Sequence, residues 1–410
     1  LNVITMAVPV GNNALQAVGV AEAIQHRPGN PLVLCAVGDG ATQEGEFLEA
    51  VSEAARRRLP VLFLIEDNQW AISTRTSGQT FFSPPQGSAS AFMGVEIQSL
   101  DGRDVISSYE RFGQIVDQLR KDRQPVLAVM QVERLTSHTN ADDQRIYRSE
   151  DEIQRATHCG DPVHHLKTYL LANSISSATL DAIDEEIHGI VSAAELQALQ
   201  HDNPEPENSA KISLPIELTH PQRENRGRDE GPRLVMKDAM REVLRSKLAS
   251  DDRVTLYGED IEDPKGDVFG VTKGLSTEFP GRVSNSPLSE STIVGSAVGR
   301  AIAGERPVAF LQFADFLPLA YNQIHSELGS IFWRSAGGFQ APVIVMIPCG
   351  GYRPGLGPFQ SQTLEATMAH TPGVDVFMPS TATDAAGTVS YTHLRAHETD
   401  SYLVCRLLLE

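Results

Sequence analysis

A chain of 410 residues is long enough for about two or three separate cores. Hydrophobic residues at 41% and charged residues at 21% are ordinary for a soluble globular protein, and a formal net charge of −19 argues against a nucleic-acid surface, which needs clustered lysine and arginine. No apolar run is long enough to span a bilayer, and four widely spaced cysteines with no CxxC point to neither a disulfide framework nor a zinc site, so a reducing cytoplasm is the expected compartment.

In chain order, short apolar runs introduced by proline recur: "PLVLCAV", "PVLFLIE", "PVLAVMQV", "PVAFLQF" and "PVIVMIP". Runs of this length and composition fit strands buried on both faces, as in parallel sheets. Helical patterns lie between them. In "EGEFLEAVSEAARRR" the residues Phe47, Ala50, Val51, Ala54 and Ala55 share one face, with charges opposite. The alternation reads as doubly wound α/β. An amphipathic helix, "ATLDAIDEEIHGIVSAAELQAL", is expected to close the first block. A segment rich in Pro, Asn, Glu and Arg follows, residues 200–233, and reads as a linker. The second block opens with a helix and a strand in "RLVMKDAMREVLRSKLASDDRVTLYGEDI".

The first apolar run ends in Gly38-Asp39-Gly40-Ala41, and the second ends in Asp67-Asn68-Gln69. In an open parallel sheet, ligands sit outside the carboxyl ends of the strands. Asn68 follows Asp39 by 29 residues, which leaves room for one helical crossover. A hard cation such as Mg²⁺ takes oxygen ligands and completes its shell with phosphate and water. Gly38 and Gly40 allow close backbone approach, and the N-terminus of the next helix favours anionic oxygen. GDG alone is no more than a tight turn; with Asn68 at this spacing it points to a metal-diphosphate site.

These residues resemble the thiamin diphosphate motif. More closely, "GDGATQEGEFLEA…LPVLFLIEDNQWAIS" is similar to the α subunit of the first, decarboxylating component of 2-oxo acid dehydrogenase complexes. The resemblance implies thiamin diphosphate and Mg²⁺ as cofactors. It makes Asp39, the Asn68 side chain and the Trp70 carbonyl the metal ligands, with Gly38, Gly40 and Ala41 against the diphosphate. The family's usual pair of asparagines reads Asp67-Asn68 here. In "VPVGNNALQAVG", Val10 is the implied apolar prop that bends the cofactor, and Val8 offers a backbone contact to the aminopyrimidine. In "ERLTSHTNADDQRIYRSEDEI", Arg134 is expected to pair with the diphosphate and His138 to stand beside the reacting centre.

The second block is similar to the β subunit, through "LYGEDI", "GDVFGVTKGL" and "SNSPLSESTIVGSAVG". Glu290, Gly295 and Gly299 reproduce its Glu-x4-Gly-x3-Gly pattern, which implies that Glu290 shares a proton with the aminopyrimidine. Phe316, in "QFADFLPLAYNQI", stands where an aromatic lines the cofactor. One position departs. Where the family has a histidine, "GLGPFQSQTLEA" has Gln360, which cannot titrate near neutral pH. A true substitution and a sequencing error both account for it.

The implied fold is two doubly wound, parallel-sheet thiamin diphosphate-binding domains joined by a linker. The α-like domain is residues 1–199, the linker 200–233 and the β-like domain 234–387. Residues 388–410 back-translate to segments of a sequencing-library adapter in one frame, and are read as an artefact. Both halves of the pair are expected to be truncated, lacking the α subunit's early segment and the β subunit's C-terminal domain. The implied reaction is oxidative decarboxylation of a 2-oxo acid, with "HTNADDQRIYRS" leaning toward a branched-chain substrate over pyruvate. The acyl group passes to a lipoyl group on a partner acyltransferase. A homodimer of fused chains is the expected assembly, with sites within or between chains left open, and with neither nucleic acid nor membrane as partner. Acetoin or other thiamin diphosphate-dependent C–C cleavage is an alternative on the same fold. A catalytically impaired or silent paralogue is the alternative that Gln360 raises.

Overall fold

The computed structural model describes residues 3–203, 233–351, 354–395 and 401–405. Most of the expected linker, residues 204–232, lies outside the described residues.

The first half runs α1 (Asn13–Ile24), β1 (Val33–Gly38), α2 (Gly45–Arg57), β2 (Val61–Asp67), the small hairpin β3 (Trp70–Ala71) and β4 (Thr74–Arg75), β5 (Ala91–Phe92), β6 (Val95–Asp101), α3 (Val105–Asp122), β7 (Val126–Gln131), α4 (Glu150–Cys159), α5 (Pro162–Ala172) and α6 (Ser177–Gln200). Its sheet has the order β1-β2-β7-β6-β5, parallel except for β5 on β6. α2 buries Phe47, Ala50, Val51 and Ala54 and carries Glu46 in its first turn and Arg56 and Arg57 in its last, charges that suit the helix dipole. α3 is started by Asp104, whose carboxylate accepts from the backbone N–H groups of Ile106 and Ser107, each at 3.1 Å.

The second half runs α7 (Met236–Ser250), β8 (Val254–Gly258), α8 (Leu275–Glu278), β9 (Val283–Asn285), α9 (Glu290–Ile302), β10 (Arg306–Phe310), α10 (Leu317–Asn322), α11 (Ile331–Arg334), β11 (Ile344–Ile347), α12 (Glu365–Ala369), β12 (Val374–Phe377), α13 (Ala382–Arg395) and β13 (Ser401–Cys405). Its sheet is parallel throughout, in the order β12-β13-β11-β10-β8-β9. The doubly wound α/β class read from the sequence is the observed one in both halves. The boundary expected at residue 388 falls inside α13, whose Val389 is buried beside Met240 and Leu244 of α7.

The halves meet where α1 crosses α9. A Cβ built on Gly19 would lie 2.0 Å from the Ser296 carbonyl oxygen, and one on Gly299 would lie 2.1 Å from that of Gln16. The glycines spaced four apart in α9 therefore share one face, and that face is pressed against α1. Polar pairs flank the crossing. Gln16 donates to Glu327, which also takes Arg334 at 2.6 Å, and Glu22 pairs with both Arg57 and Arg300.

α6 forms as the expected helix and is the last described element of the first half; Leu180 is buried in it, while Ile183, Ile187, Ile190 and Val191 are exposed. Its first turn reaches the core through Leu180 and is capped by Ser176, and Lys167 of α5 pairs with Asp184 further along the helix. Among the described residues, no helix is long and apolar enough to cross a membrane.

Candidate functional site

The parallel register of β1 on β2 sets Gly38 opposite Glu66, so the chain leaves both strands with Asp39 and Asp67 side by side. Asp39 is buried at 2% exposure, and the Thr76 hydroxyl donates to its Oδ2 at 2.5 Å. Burial pushes the Asp39 carboxyl up to about 6; the Thr76 hydrogen bond opposes this and the nearby Asp67 charge adds to it. Two neighbouring carboxyl groups at strand ends, one of them buried, form a donor set for a hard cation. Asn68 and Trp70 lie on the same turn, where the Asn68 Oδ1 accepts from the Trp70 backbone N–H at 2.9 Å. Thr76 was not singled out by sequence, because an isolated hydroxyl in a loop carries no pattern.

A Cβ built on Gly38 would meet nothing within 4 Å, which leaves the outer side of this residue free for a ligand's approach. Gly40 serves a different end: its Cβ would fall 2.7 Å from that of Ala71, so its smallness lets the β3 turn close over the strand end. Ala41 is buried beneath it.

Arg134 joins this cluster. Its guanidinium donates to the Ile72 carbonyl at 2.7 Å and to the Tyr147 hydroxyl at 2.8 Å, and lies 5.7 Å from the centroid of the Trp70 ring. Tyr147 in turn donates to Asp142 Oδ2 at 2.6 Å, and the same oxygen takes the His138 backbone N–H at 2.9 Å. The Tyr147 hydrogen bond, then the His138 one, holds the Asp142 carboxyl below its usual range. His138 is thereby fixed through its backbone while its ring stays exposed.

From the second half, Glu290 opens α9 and is half-buried. Burial, and then the charge of Glu49 on α2, push its carboxyl up. The contact is direct on either side: Ser289 and Thr292 donate their hydroxyls to Glu49 Oε2 at 2.6 and 2.9 Å. Asn322 of α10 donates to Glu46 Oε1 at 2.7 Å and to the Asn12 side chain at 2.7 Å. So α2, which follows Asp39, the start of α1, which follows Val10, and the start of α9, which carries Glu290, converge within one chain. Glu259, also unsingled by sequence, stands behind Glu290: burial, then the Glu290 charge, push it up to about 7.

Val8 and Val10 are 92% and 58% exposed, an unfavourable setting for large apolar side chains. Phe316 is half-buried, edge-on to Phe313 at 5.9 Å. Gln360 lies on the loop after β11, and that loop is tied to the residue beside Phe316 by the Gln362 N–H donating to Asp315 Oδ2 at 3.3 Å. Among the described residues, no group of three or more His, Cys, Asp or Glu side chains is placed to hold a metal ion.

Residues 1–207 match the model of the family described as dehydrogenase E1 component, and residues 233–406 match that of the transketolase pyrimidine binding domain. The chain is 42% identical over 151 residues to the 2-oxoisovalerate dehydrogenase subunit beta of Bacillus subtilis, covering 37% of this chain and 46% of that one. It is 40% identical over 153 residues to the pyruvate dehydrogenase E1 component subunit beta of Leifsonia xyli, covering 37% and 45%. A third relative, the 3-methyl-2-oxobutanoate dehydrogenase subunit alpha of Mycobacterium tuberculosis, is 35% identical over 176 residues, or 43% and 47% of the two chains. The chain spans a little under half the length of these curated relatives.

Proposed function

The chain belongs to the dehydrogenase E1 component family, and from that premise we propose that it carries α-type and β-type functions of a 2-oxo acid dehydrogenase first component on one polypeptide. The α-like part is residues 1–199 and the β-like part 234–387, joined by the linker 200–233. The reaction is decarboxylation of a 2-oxo acid, branched-chain in preference to pyruvate, with the acyl group passed to the lipoyl arm of an acyltransferase. The names of the relatives, two of them branched-chain, support that preference. Residues 388–410 are read as an adapter-derived tail, which sequencing source DNA past codon 387 tests.

The observation that supports the proposal is that Asp39, Asn68 and Arg134 belong to neighbouring strand ends and turns of the first half, while α9, which Glu290 opens, is tied to α2 of that half through Ser289 and Thr292 on Glu49. Asp39, the Asn68 side chain and the Trp70 carbonyl would hold Mg²⁺, and Gly38, Gly40, Ala41 and Arg134 would face the diphosphate. Thiamin diphosphate, when bound, supplies the carbon nucleophile that takes up the ketone and the sink for the electrons left by CO₂. Glu290 has the protonation bias its role asks for, because a carboxyl held up by burial and by Glu49 can hold a proton at a ring nitrogen of the aminopyrimidine. Val10 would be the apolar prop that bends the cofactor, Val8 would offer a backbone contact to the aminopyrimidine, and Phe316 would line the same space. His138, whose side chain is exposed, would stand beside the reacting centre. Two fused chains would form the working assembly.

The test is release of CO₂ from 3-methyl-2-oxobutanoate and from pyruvate with an artificial electron acceptor, with and without thiamin diphosphate and Mg²⁺. Cofactor-dependent release, faster with the branched acid, is the expected result. Cofactor binding with no release from either acid would overturn it. Gln360 favours a second reading, in which the cofactor is bound and decarboxylation persists while transfer to the lipoyl group is impaired.

A further inference from the structure

The cation site proposed above takes one carboxylate, Asp39, and the neutral oxygens of Asn68 and Trp70. Its surroundings hold a further anionic oxygen. Asp67 ends β2, and the β1–β2 register makes it the lateral neighbour of Asp39. Thr76 bridges the same place: its hydroxyl is on Asp39 Oδ2 at 2.5 Å, and with Asp67 it lines one cavity of about 220 Å³, whose other walls include Gln69, Ser77 and Gln131. One oxygen of Asp67, Oδ1, accepts from the Gln69 backbone N–H at 3.0 Å, which fixes the side chain's orientation. Asn68, in contrast, has its Oδ1 on the Trp70 N–H.

Resting on the reading of this place as the diphosphate-cation site, we propose that Asp67 is a second anionic ligand of the divalent cation, so that the site binds the metal with two carboxylates. The physical consequence is specific. Affinity for a hard divalent cation rises with the number of charged oxygen ligands. Two carboxylates neutralise the ion before any diphosphate arrives, so the chain takes up metal in the absence of the organic cofactor. Asp67 also lines a polar cavity with Thr76, Ser77 and Gln131, so its second oxygen is not enclosed by apolar side chains.

The test is titration of the full chain with Mn²⁺ alone, without thiamin diphosphate, following free Mn²⁺ by electron paramagnetic resonance. Asp67→Asn keeps the shape and the acceptor for the Gln69 N–H and removes only the charge, so its circular dichroism and melting point serve as the folding control. The expected result is a single Mn²⁺ site that Asp39→Asn removes and Asp67→Asn weakens by about tenfold or more. A site lost in Asp39→Asn but unchanged in Asp67→Asn would overturn the role of Asp67 and leave the cation site standing. Mn²⁺ uptake that Asp39→Asn does not alter would overturn both.

Discussion

The Tyr257 hydroxyl donates to Glu53 Oε1 at 2.8 Å, joining a strand of the second sheet to helix α2 of the first half. Both residues are buried, at 1% and 4% exposure. Burial, then the Glu53 charge, push the phenol up to about 12, so it remains a donor throughout the physiological range. Tyr257→Phe removes the donor and leaves the carboxylate with Arg56, which reaches Glu53 Oε1 at 2.6 Å and Oε2 at 2.8 Å. The expected loss is about 1.5–3 kcal/mol, the scale for a hydrogen bond to a charged group. Urea denaturation measures it, and an unshifted midpoint would show that Arg56 alone satisfies Glu53.

The α1–α9 crossing gives a sharper contrast. Alanine at Gly19 or Gly299 places a methyl 2.0–2.1 Å from a backbone carbonyl oxygen of the other helix, which no rotamer change relieves. The helices must part, and overpacking of this kind costs about 1–3 kcal/mol or more. Gly113, in the middle of α3, has nothing within 4 Å of its Cβ position. There alanine removes only glycine's excess entropy and should stabilise by about 0.5–1 kcal/mol. Thermal melts of the three variants check the sign as well as the size. Equal effects at Gly19 and Gly113 would mean that the close crossing does not bind the halves.

The same crossing marks where sequence reasoning stops. The strands were legible because proline-led Val/Ile/Leu runs have few other uses, and each became a parallel strand near its expected place. Asp39 and Asn68 were legible because a carboxylate and an amide at successive strand ends make a pattern within a few tens of residues. Thr76, Glu49 and Glu259 were not. Each acts through a partner distant in the chain or hidden by the fold, as Glu49 does with Ser289 240 residues away, and no local periodicity records such pairs. The exposed face of α6 was hidden for a related reason: amphipathicity announces a helix with an apolar face, not what lies against that face.

Gln360 offers a test of function at one position. Gln362, two residues on, ties the loop to Asp315 beside Phe316, so a side chain at 360 belongs to the same side of the second half as the aromatic expected to line the cofactor. Gln360→His supplies a group that titrates near neutral pH. Thiamin diphosphate affinity should be unchanged, because no diphosphate or cation contact is altered. Transfer of the acyl group to a free lipoyl domain should rise by about 10²–10⁴, the range for a general acid-base group. Stopped-flow transfer assays on the two proteins decide it, and equal rates would place the defect, or its absence, elsewhere.

Glu259 predicts the pH dependence of stability. Burial and the neighbouring Glu290 raise its carboxyl from 4.5 to about 7 in the folded chain. Between these values the folded state binds a proton that the unfolded state has released. Stability from this group is therefore complete below about pH 4.5 and is lost as pH rises through 7. Asp39, raised from 3.8 to about 6, acts with the same sign over a slightly lower window. Asp251 and Asp263, both held down at about 2, act in the opposite sense, and their contribution is lost only as pH falls below 3.8. The stability curve should thus rise as pH is lowered from 8 to about 5 and fall again below about 4. Each coupled proton contributes at most about 1.4 kcal/mol per pH unit, so the slope is limited to about that value between pH 6 and 7, where Glu259 acts alone, and to about twice it below pH 6, where Asp39 joins. Glu259→Gln keeps the shape, removes the titration and should flatten that limb between pH 5 and 7, leaving the part due to Asp39. Urea midpoints at pH 5, 6, 7 and 8 for the two proteins measure the difference. Parallel curves would show that Glu259 carries no raised affinity for its proton.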